Sequence, residues 1–139
     1  MTSITDNQAT EVIYARILAN LPAGWTDAQV TFHDEPYTPP QDDPWLRLTV
    51  FHEASAQITL GRTGARRYDR TGTVVIQVFD KSGNAVSDIN AIVNHLQTVY
   101  EGVRDSGVVL LNSDRQHIGI DGRWDQTNFS VQFYHEEIK

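Results

Sequence analysis

The residues best suited to do chemistry in this 139-residue chain are four arginines that lie close together in sequence. They are Arg62, Arg66, Arg67 and Arg70, in the stretch GRTGARRYDR. Guanidinium groups bind carboxylates and phosphates through paired hydrogen bonds, and the glycines of this stretch predict an irregular, exposed loop. The whole chain carries a formal net charge of −7. A basic cluster in an acidic chain therefore predicts a contact with a partner, and the residues alone leave open whether that partner is protein or nucleic acid.

The chain contains no recognisable catalytic motif. The arginine stretch lacks the lysine and hydroxyl pair of a Walker loop, and neither GxGxxG nor GxSxG occurs. Adjacent carboxylates occur at Asp42 and Asp43 and again at Glu136 and Glu137, but a pair in a flexible segment fixes no geometry for acid–base work. We therefore predict no catalytic residues, no enzymatic activity and no cofactor. Binding of an anion by the arginine loop remains an alternative to an interface role.

The histidines show no metal-binding pattern. They form neither HxH nor HExxH, and the absence of cysteine excludes disulfides and thiolate zinc sites. His52 with Glu53 is the most suggestive pair, but it is expected at a strand end with no second ligand nearby. The sequence therefore predicts surface or interface histidines and no metal site. The five histidines are His33, His52, His95, His117 and His135.

Composition indicates one ordinary globular domain over residues 1–139. About 40% of the residues are hydrophobic and 21% are charged, and a chain of this length can bury a core without disulfides. No apolar run approaches the roughly 20 residues of a membrane helix, and the polar N-terminus lacks the features of a signal peptide. We therefore expect a cytoplasmic protein without a membrane partner. The acidic balance argues against nucleic-acid binding over the whole surface.

Two helices and several strands are expected to position these residues. Apolar residues spaced by three and four predict helices over about 4–20 and about 84–103. Alternating residues predict strands over about 29–33, 45–51, 55–60, 68–80, 108–111, 116–121 and 123–135. Because helices do not separate the strands one by one, the sequence predicts an α+β fold with a mainly antiparallel sheet packed against two helices.

An acidic, proline-rich connection follows the first strand. It carries four of the five prolines of the chain between residues 36 and 44, which predicts a stiff, irregular surface segment. It is either a solvated loop or a docking arm for a neighbouring subunit. Its acidic residues are candidate counterparts of the arginines. They are Asp34, Glu35, Asp42 and Asp43.

Two tryptophans and one polar stripe are further interface candidates. Trp45 and Trp124 are expected either at partly buried sheet edges or in a subunit contact, where tryptophan is enriched. In strand 123–135 one face is polar and is either exposed to solvent or part of the inner wall of a ring. The stripe consists of Gln126, Asn128, Ser130 and Gln132.

The order and spacing of these motifs resemble the bacteriophage tail terminator-like family. An aromatic residue, Trp45, begins a strand that leads to the glycine–arginine loop. The strand GTVVIQVF at residues 72–79 follows, then a helix, and the strand GRWDQTNFSVQF at residues 122–133 closes the domain. The resemblance covers about residues 45–137, and the N-terminal helix is also in the expected place.

The resemblance implies a structural virion protein with no catalytic residues. Members of this family are expected to form a homo-hexameric ring that caps the head-proximal end of the tail tube and stops its growth. The ring would join the tail tube protein to head-completion and neck proteins, and phage DNA would pass through its lumen. The protein would be made in the host bacterial cytoplasm and located in the virion tail.

Two alternatives to a terminator remain open. The first is another neck or tail-completion protein of similar fold. The second is a nucleic-acid or anion-binding module that uses the arginine loop, for which binding to duplex DNA should weaken steeply with salt. In a ring-forming protein, the arginine loop is expected to contact the next subunit, the tube below it, or the DNA in the lumen.

Overall fold

The computed structural model describes residues 3–84 and 86–139, and these residues form an α+β fold with a six-stranded sheet and two helices. In chain order the elements are α1 (Asp6–Ala19), a short 3₁₀ turn (Asp27–Gln29), β1 (Val30–Phe32), β2 (Trp45–Gln57), β3 (Arg67–Lys81), α2 (Val86–Tyr100), β4 (Arg104–Asp105), β5 (Val108–Asp121) and β6 (Trp124–Ile138). Neither helix of the described part is long and apolar enough to cross a membrane.

The sheet is mixed, with strand order β1-β2-β3-β6-β5-β4. β1 pairs parallel with β2, and the other four pairings are antiparallel. β3 and β6 occupy the centre and pair along their whole length, from Arg67 opposite Ile138 to Lys81 opposite Trp124. The long strands therefore place residues that are distant in sequence side by side at both ends of the sheet.

Three strands are longer than the sequence pattern predicts. The strands expected at 45–51 and 55–60 form one strand, β2, which ends at Gln57 and has a register shift between His52 and Ala54. Those expected at 108–111 and 116–121 form β5, which has two register shifts of its own. An extra residue at a bulge reverses which face the following side chains occupy, so the apolar–polar alternation of the sequence breaks there although the strand continues. β6 also continues past 135 to Ile138.

Both helices pack on one face of the sheet and enclose the core there. The buried face of α1 consists of Ala9, Ile13 and Ile17, each with 0% exposure. Removing each aliphatic side chain of this core from water stabilises the fold by about 1.5–3 kcal/mol before conformational entropy is subtracted. The sheet contributes Leu46, Leu48, Val74, Ile76, Val78, Phe129, Val131 and Phe133, and α2 contributes Ile89, Ile92, Val93, Leu96, Val99 and Tyr100.

A buried hydroxyl ties the two helices together. The Tyr100 hydroxyl is fully buried and donates a hydrogen bond of 2.7 Å to the backbone oxygen of Ile13. Burial raises the pKa of Tyr100 far above its usual value, so the hydroxyl keeps its proton and remains a donor. The guanidinium of Arg16 donates a second hydrogen bond between the helices, from α1 to the backbone oxygen of Val99 in α2. These bonds fix how α1 lies along α2.

Gly72 lies where two strands and an aromatic ring meet. A Cβ at this position would lie 2.2 Å from the backbone oxygen of Phe51 and 2.6 Å from the ring of Phe133. The Phe133 ring of β6 and the Phe51 carbonyl of β2 therefore occupy the space that a side chain at this position would need. Glycine is required at this position because a side chain would not fit, and not because the backbone adopts a positive φ.

We predict that Gly72→Ala lowers the free energy of unfolding by at least about 2 kcal/mol, since the added methyl group must displace a backbone carbonyl or the Phe133 ring. Urea unfolding followed by circular dichroism measures the change. Gly61→Ala is the matched control, because the nearest atom to its added Cβ is 3.5 Å away. Equal stability of the two variants would contradict the prediction.

We also predict that Tyr100→Phe destabilises the protein by about 1 kcal/mol, through loss of the buried hydrogen bond to Ile13. Thermal unfolding measures the difference. Tyr134→Phe serves as the control, because the Tyr134 hydroxyl is only half-buried and makes no hydrogen bond within residues 3–84 and 86–139. An unchanged melting temperature in Tyr100→Phe would show that the bond does not hold the helices together.

Candidate interaction surface

The loop that carries the arginines, residues 58–66, closes the hairpin of β2 and β3 at one end of the sheet. Its residues are exposed up to Ala65, and Leu60 is 95% exposed. The C-terminal residue Lys139 pairs with the loop, since its N–H donates to the Arg66 oxygen at 2.9 Å and its oxygen accepts from the Arg66 N–H at 3.2 Å. The loop therefore projects from the sheet with its base fixed by the end of the chain.

Two of the four arginines are neutralised within the chain. Arg70 donates from Nε to Glu137 at 2.8 Å and from a terminal nitrogen to Ser55 at 2.8 Å. Arg67 Nε lies 3.1 Å from a carboxylate oxygen of Glu136, without the alignment of a hydrogen bond. Because the two arginines are three residues apart in a regular strand, they lie on opposite faces of the sheet. They do not form one shared basic patch.

The other two arginines retain most of their charge for a partner. Arg62 makes no ion pair within the described part of the chain and is exposed. Arg66 donates to the Lys139 backbone oxygen at 3.3 Å, and a second nitrogen lies 3.5 Å from Thr63. Neither of these acceptors is a side-chain carboxylate. The available positive charge of the loop is therefore concentrated on Arg62 and Arg66.

The sequence pattern did not predict that Glu136 and Glu137 pair with Arg67 and Arg70. They were expected beyond the last strand, whereas the structure places them inside β6, opposite Asp69 and Tyr68 of β3. The positions of the charged residues in the sequence could have predicted this pairing. Two adjacent acids near the end of one long strand match two arginines near the start of another, which is the arrangement that antiparallel pairing favours.

The acidic connection lies at the opposite end of the sheet from the arginine loop. Residues 33–44 lead into the first residue of β2, whereas the loop follows its last residue. The 13 residues of β2 span about 40 Å at the usual rise of a strand. The predicted acidic and basic candidates therefore cannot neutralise one another within one subunit.

The four acidic candidates are all exposed, and two have local partners. Asp42 accepts a hydrogen bond of 2.9 Å from Lys81, and this contact holds the pKa of Asp42 below its usual value. Asp34 lies 3.1 Å from His33. Glu35 and Asp43 make no ion pair within the described residues. This end of the molecule therefore presents negative charge that is only partly balanced.

Trp45 and Trp124 belong to an aromatic cluster at the acidic end. Trp45 is only 4% exposed and stacks on Phe79 with ring centroids 4.0 Å apart. Trp124 meets its edge at 6.2 Å, and Tyr37 from the acidic connection packs at 5.2 Å. The cluster anchors the connection to the sheet. Any partner contact of Trp45 is therefore limited to its edge, and Trp124 is the more accessible of the two.

In the described part of the chain, no helix covers the second face of the sheet. The predicted polar stripe of β6 lies here beside Thr73, Val75 and Gln77 of β3. A groove of about 760 Å³ crosses this face at the arginine end, and its lining includes Arg67, Glu136 and Tyr134. Its walls combine charged side chains of both signs with apolar ones such as Leu111 and Phe133, so a partner at this groove would meet both polar and apolar surface.

The fold also assembles a cluster that the sequence reading did not predict. Asp6, His52 and His135 come from three different elements, and one ligand atom of each lies within 4.8 Å of the others. The sequence predicts His135 at the surface or in an interface, but the structure buries it fully, because it continues the core-face alternation of Phe129, Val131 and Phe133. Its partners could not be identified from spacing, because they are far away in the chain.

One comparison with known proteins identifies a family. A family model described as phage tail terminator protein matches residues 12–120, which is more than half of the chain. No curated protein sequence matches. One solved structure, of a protein that carries only an identifier as its name, superposes with a TM-score of 0.60 at 17% identity and covers 94% of this chain and 96% of that one. At this identity the likeness shows that the fold occurs elsewhere and says nothing of function.

The match over residues 12–120 confirms the family that the sequence motifs indicated, while the closing motif at residues 122–133 lies beyond the matched residues. The family is one of structural phage proteins, whose members act with other proteins of the phage tail and head. The elements that bear the candidate surface, from β2 to the helix after β3, lie within the matched residues. The chain belongs to the phage tail terminator protein family.

Proposed function

We propose that this protein forms a homo-hexameric ring that caps the head-proximal end of the phage tail tube. In this role it stops growth of the tube and gives the neck and head-completion proteins a surface to join. The observation that supports the ring is the separation of charge along the sheet. Arg62 and Arg66 lie at one end, and the acidic connection lies about 40 Å away at the other.

Charge separated in this way favours a head-to-tail contact between subunits. A cyclic ring uses two different patches on each subunit, and the patches must be complementary. Opposite charges that cannot meet within one chain can meet between neighbouring chains. They would also prevent association in the wrong orientation, because like ends repel. We assign Arg62 and Arg66 to one patch, and Asp34, Glu35 and Asp43 to the other.

The helix-free face of the sheet is assigned to the lumen. Its stripe on β6 offers amide and hydroxyl groups and carries no positive charge along residues 126–132. Along this stripe DNA would pass without ion pairs to its phosphates; the positive charges of the same face include Arg47, opposite Gln77, and Arg67 in the groove. The stripe thus suits a passage, and the charged ends of the sheet suit contacts with protein.

The alternative of a DNA-binding module receives less support from the same geometry. Arg67 and Arg70 face opposite sides of the sheet and are paired with Glu136 and Glu137. Two free arginines on a chain of net charge −7 release few counterions from duplex DNA. A protein partner with a few carboxylates matches this small basic patch better.

We predict that the wild-type protein assembles into particles with the mass of six 15.7 kDa chains, in solution or on purified tail tubes. We further predict that Arg62→Glu with Arg66→Glu abolishes the rings while the monomer keeps its melting temperature, because neither side chain supports the core. Light scattering and negative-stain microscopy measure assembly. Adding Asp34→Arg and Glu35→Arg to the same chain should restore rings, since the two patches then attract again with exchanged signs.

Arg104→Glu with Arg115→Glu is the matched control, because it changes the net charge equally at β4 and β5. Rings that persist in the loop variant would overturn the assignment of the arginine loop to the subunit contact. If such a variant assembles but ejects DNA abnormally, the loop contacts DNA. Absence of any ring, both in solution and on tail tubes, would overturn the proposed function.

A further inference from the structure

A compact group of one carboxylate and two imidazoles joins α1 to the sheet. Asp6 Oδ1 lies 3.1 Å from Nε2 of His135 and 3.6 Å from Nδ1 of His52. The three donor atoms lie within 4.8 Å of one another. Nothing in the proposed ring function uses these residues, which lie on the helix-bearing side of the sheet.

Local structure directs each of the three side chains to the same point. Thr5 and Gln8 close a capping box at the start of α1, with bonds of 2.9 and 3.2 Å, so the Asp6 carboxylate is not needed as a cap. The bulge at Glu53 follows His52, which lies opposite Gly72 on the core side. His135 is fully buried beside Phe133.

The hydrogen bonds of Thr10 determine which nitrogen of His52 carries the proton. The Thr10 hydroxyl donates its only proton to the backbone oxygen of Asp6 at 3.0 Å. It must then accept from Nε2 of His52, which lies 2.9 Å away. In a neutral imidazole the lone pair of Nδ1 therefore faces the Asp6 carboxylate. Two electron-rich atoms at this distance repel each other unless a cation lies between them.

The second imidazole, that of His135, also faces the Asp6 carboxylate. Its Nδ1 is buried and has no hydrogen-bond partner within the described residues. The Asp6 carboxylate lies 3.1 Å from Nε2 and accepts a hydrogen bond from this nitrogen when no ion is bound. A cation shared by the three groups would take the place of a proton on Nε2 and would satisfy the carboxylate at the same time.

We propose that Asp6, His52 and His135 bind a divalent transition-metal ion of the zinc or cobalt class, with water as the fourth ligand. Two imidazoles and a carboxylate form a common ligand set for zinc. Tetrahedral bonds of about 2.0–2.1 Å place ligand atoms about 3.4 Å apart, close to the two separations that involve Asp6. The Thr10 contact supplies the outer hydrogen bond that orients a metal-bound histidine.

The ion would reach the site from solvent and would cross-link the first helix to the sheet. The side chains of Asp6 and His52 are 47% and 28% exposed, whereas His135 is closed off from water. The ligands come from α1, β2 and β6, so a bound ion links the N-terminal helix to two strands. Binding to the folded state alone stabilises it by mass action.

Cobalt(II) chloride, added to purified protein that has been freed of metal with a chelator, tests the proposal. We expect the visible absorption of tetrahedral cobalt, its displacement by zinc, and a rise of several degrees in melting temperature with either ion. His52→Asn should weaken binding at least about tenfold, since even loss of an outer partner costs that much. His52 is only partly buried, so this variant should fold; Asp6→Asn provides a second test on another element.

His117→Asn is the matched control. His117 also lies 2.8 Å from a carboxylate, that of Asp125, but no third metal-ligating group joins that pair in the described residues. The control should bind cobalt like the wild type, and so should the ring-deficient Arg62→Glu, Arg66→Glu variant. No tetrahedral spectrum in the wild type, or equal binding by His52→Asn, would overturn the site.

Discussion

The pairing of β3 with β6 is the interaction on which the rest of the molecule depends. The two strands pair over their full length of 15 residues each, without a register shift. A regular antiparallel ladder keeps the same side of both strands on the same face. One face can therefore bury a continuous set of apolar side chains, and both helices pack there. Gly72 leaves the space in which the Phe133 ring packs against this ladder.

The same ladder decides which charges are available to partners. It places Arg67 and Arg70 beside Glu136 and Glu137, so half of the basic cluster is balanced inside the subunit. It also sets the length of the sheet and thereby keeps the acidic connection away from the arginine loop. The proposed electrostatic complementarity between subunits depends on this distance, since charges that met within the chain would leave nothing for a neighbour.

Much of the fold could be read from the sequence because its core obeys simple periods. Val74, Ile76 and Val78 alternate in β3, and the apolar residues of α2 recur every three or four positions. Both patterns record burial on one side of a regular element. The patterns failed at the bulges of β2 and β5, where one extra residue shifts the phase while the hydrogen bonding continues.

The sequence by itself determined the α+β class, the two helices, the core faces of the long strands and the family. These properties depend on local periodicity and on the order of short motifs along the chain. Only the tertiary structure decided that Arg62 and Arg66 are the free arginines and that Trp45 is buried in an aromatic cluster. It alone brought Asp6, His52 and His135 together. Such contacts depend on strand register and on where a helix docks, and neither is encoded in the spacing of the residues that finally meet.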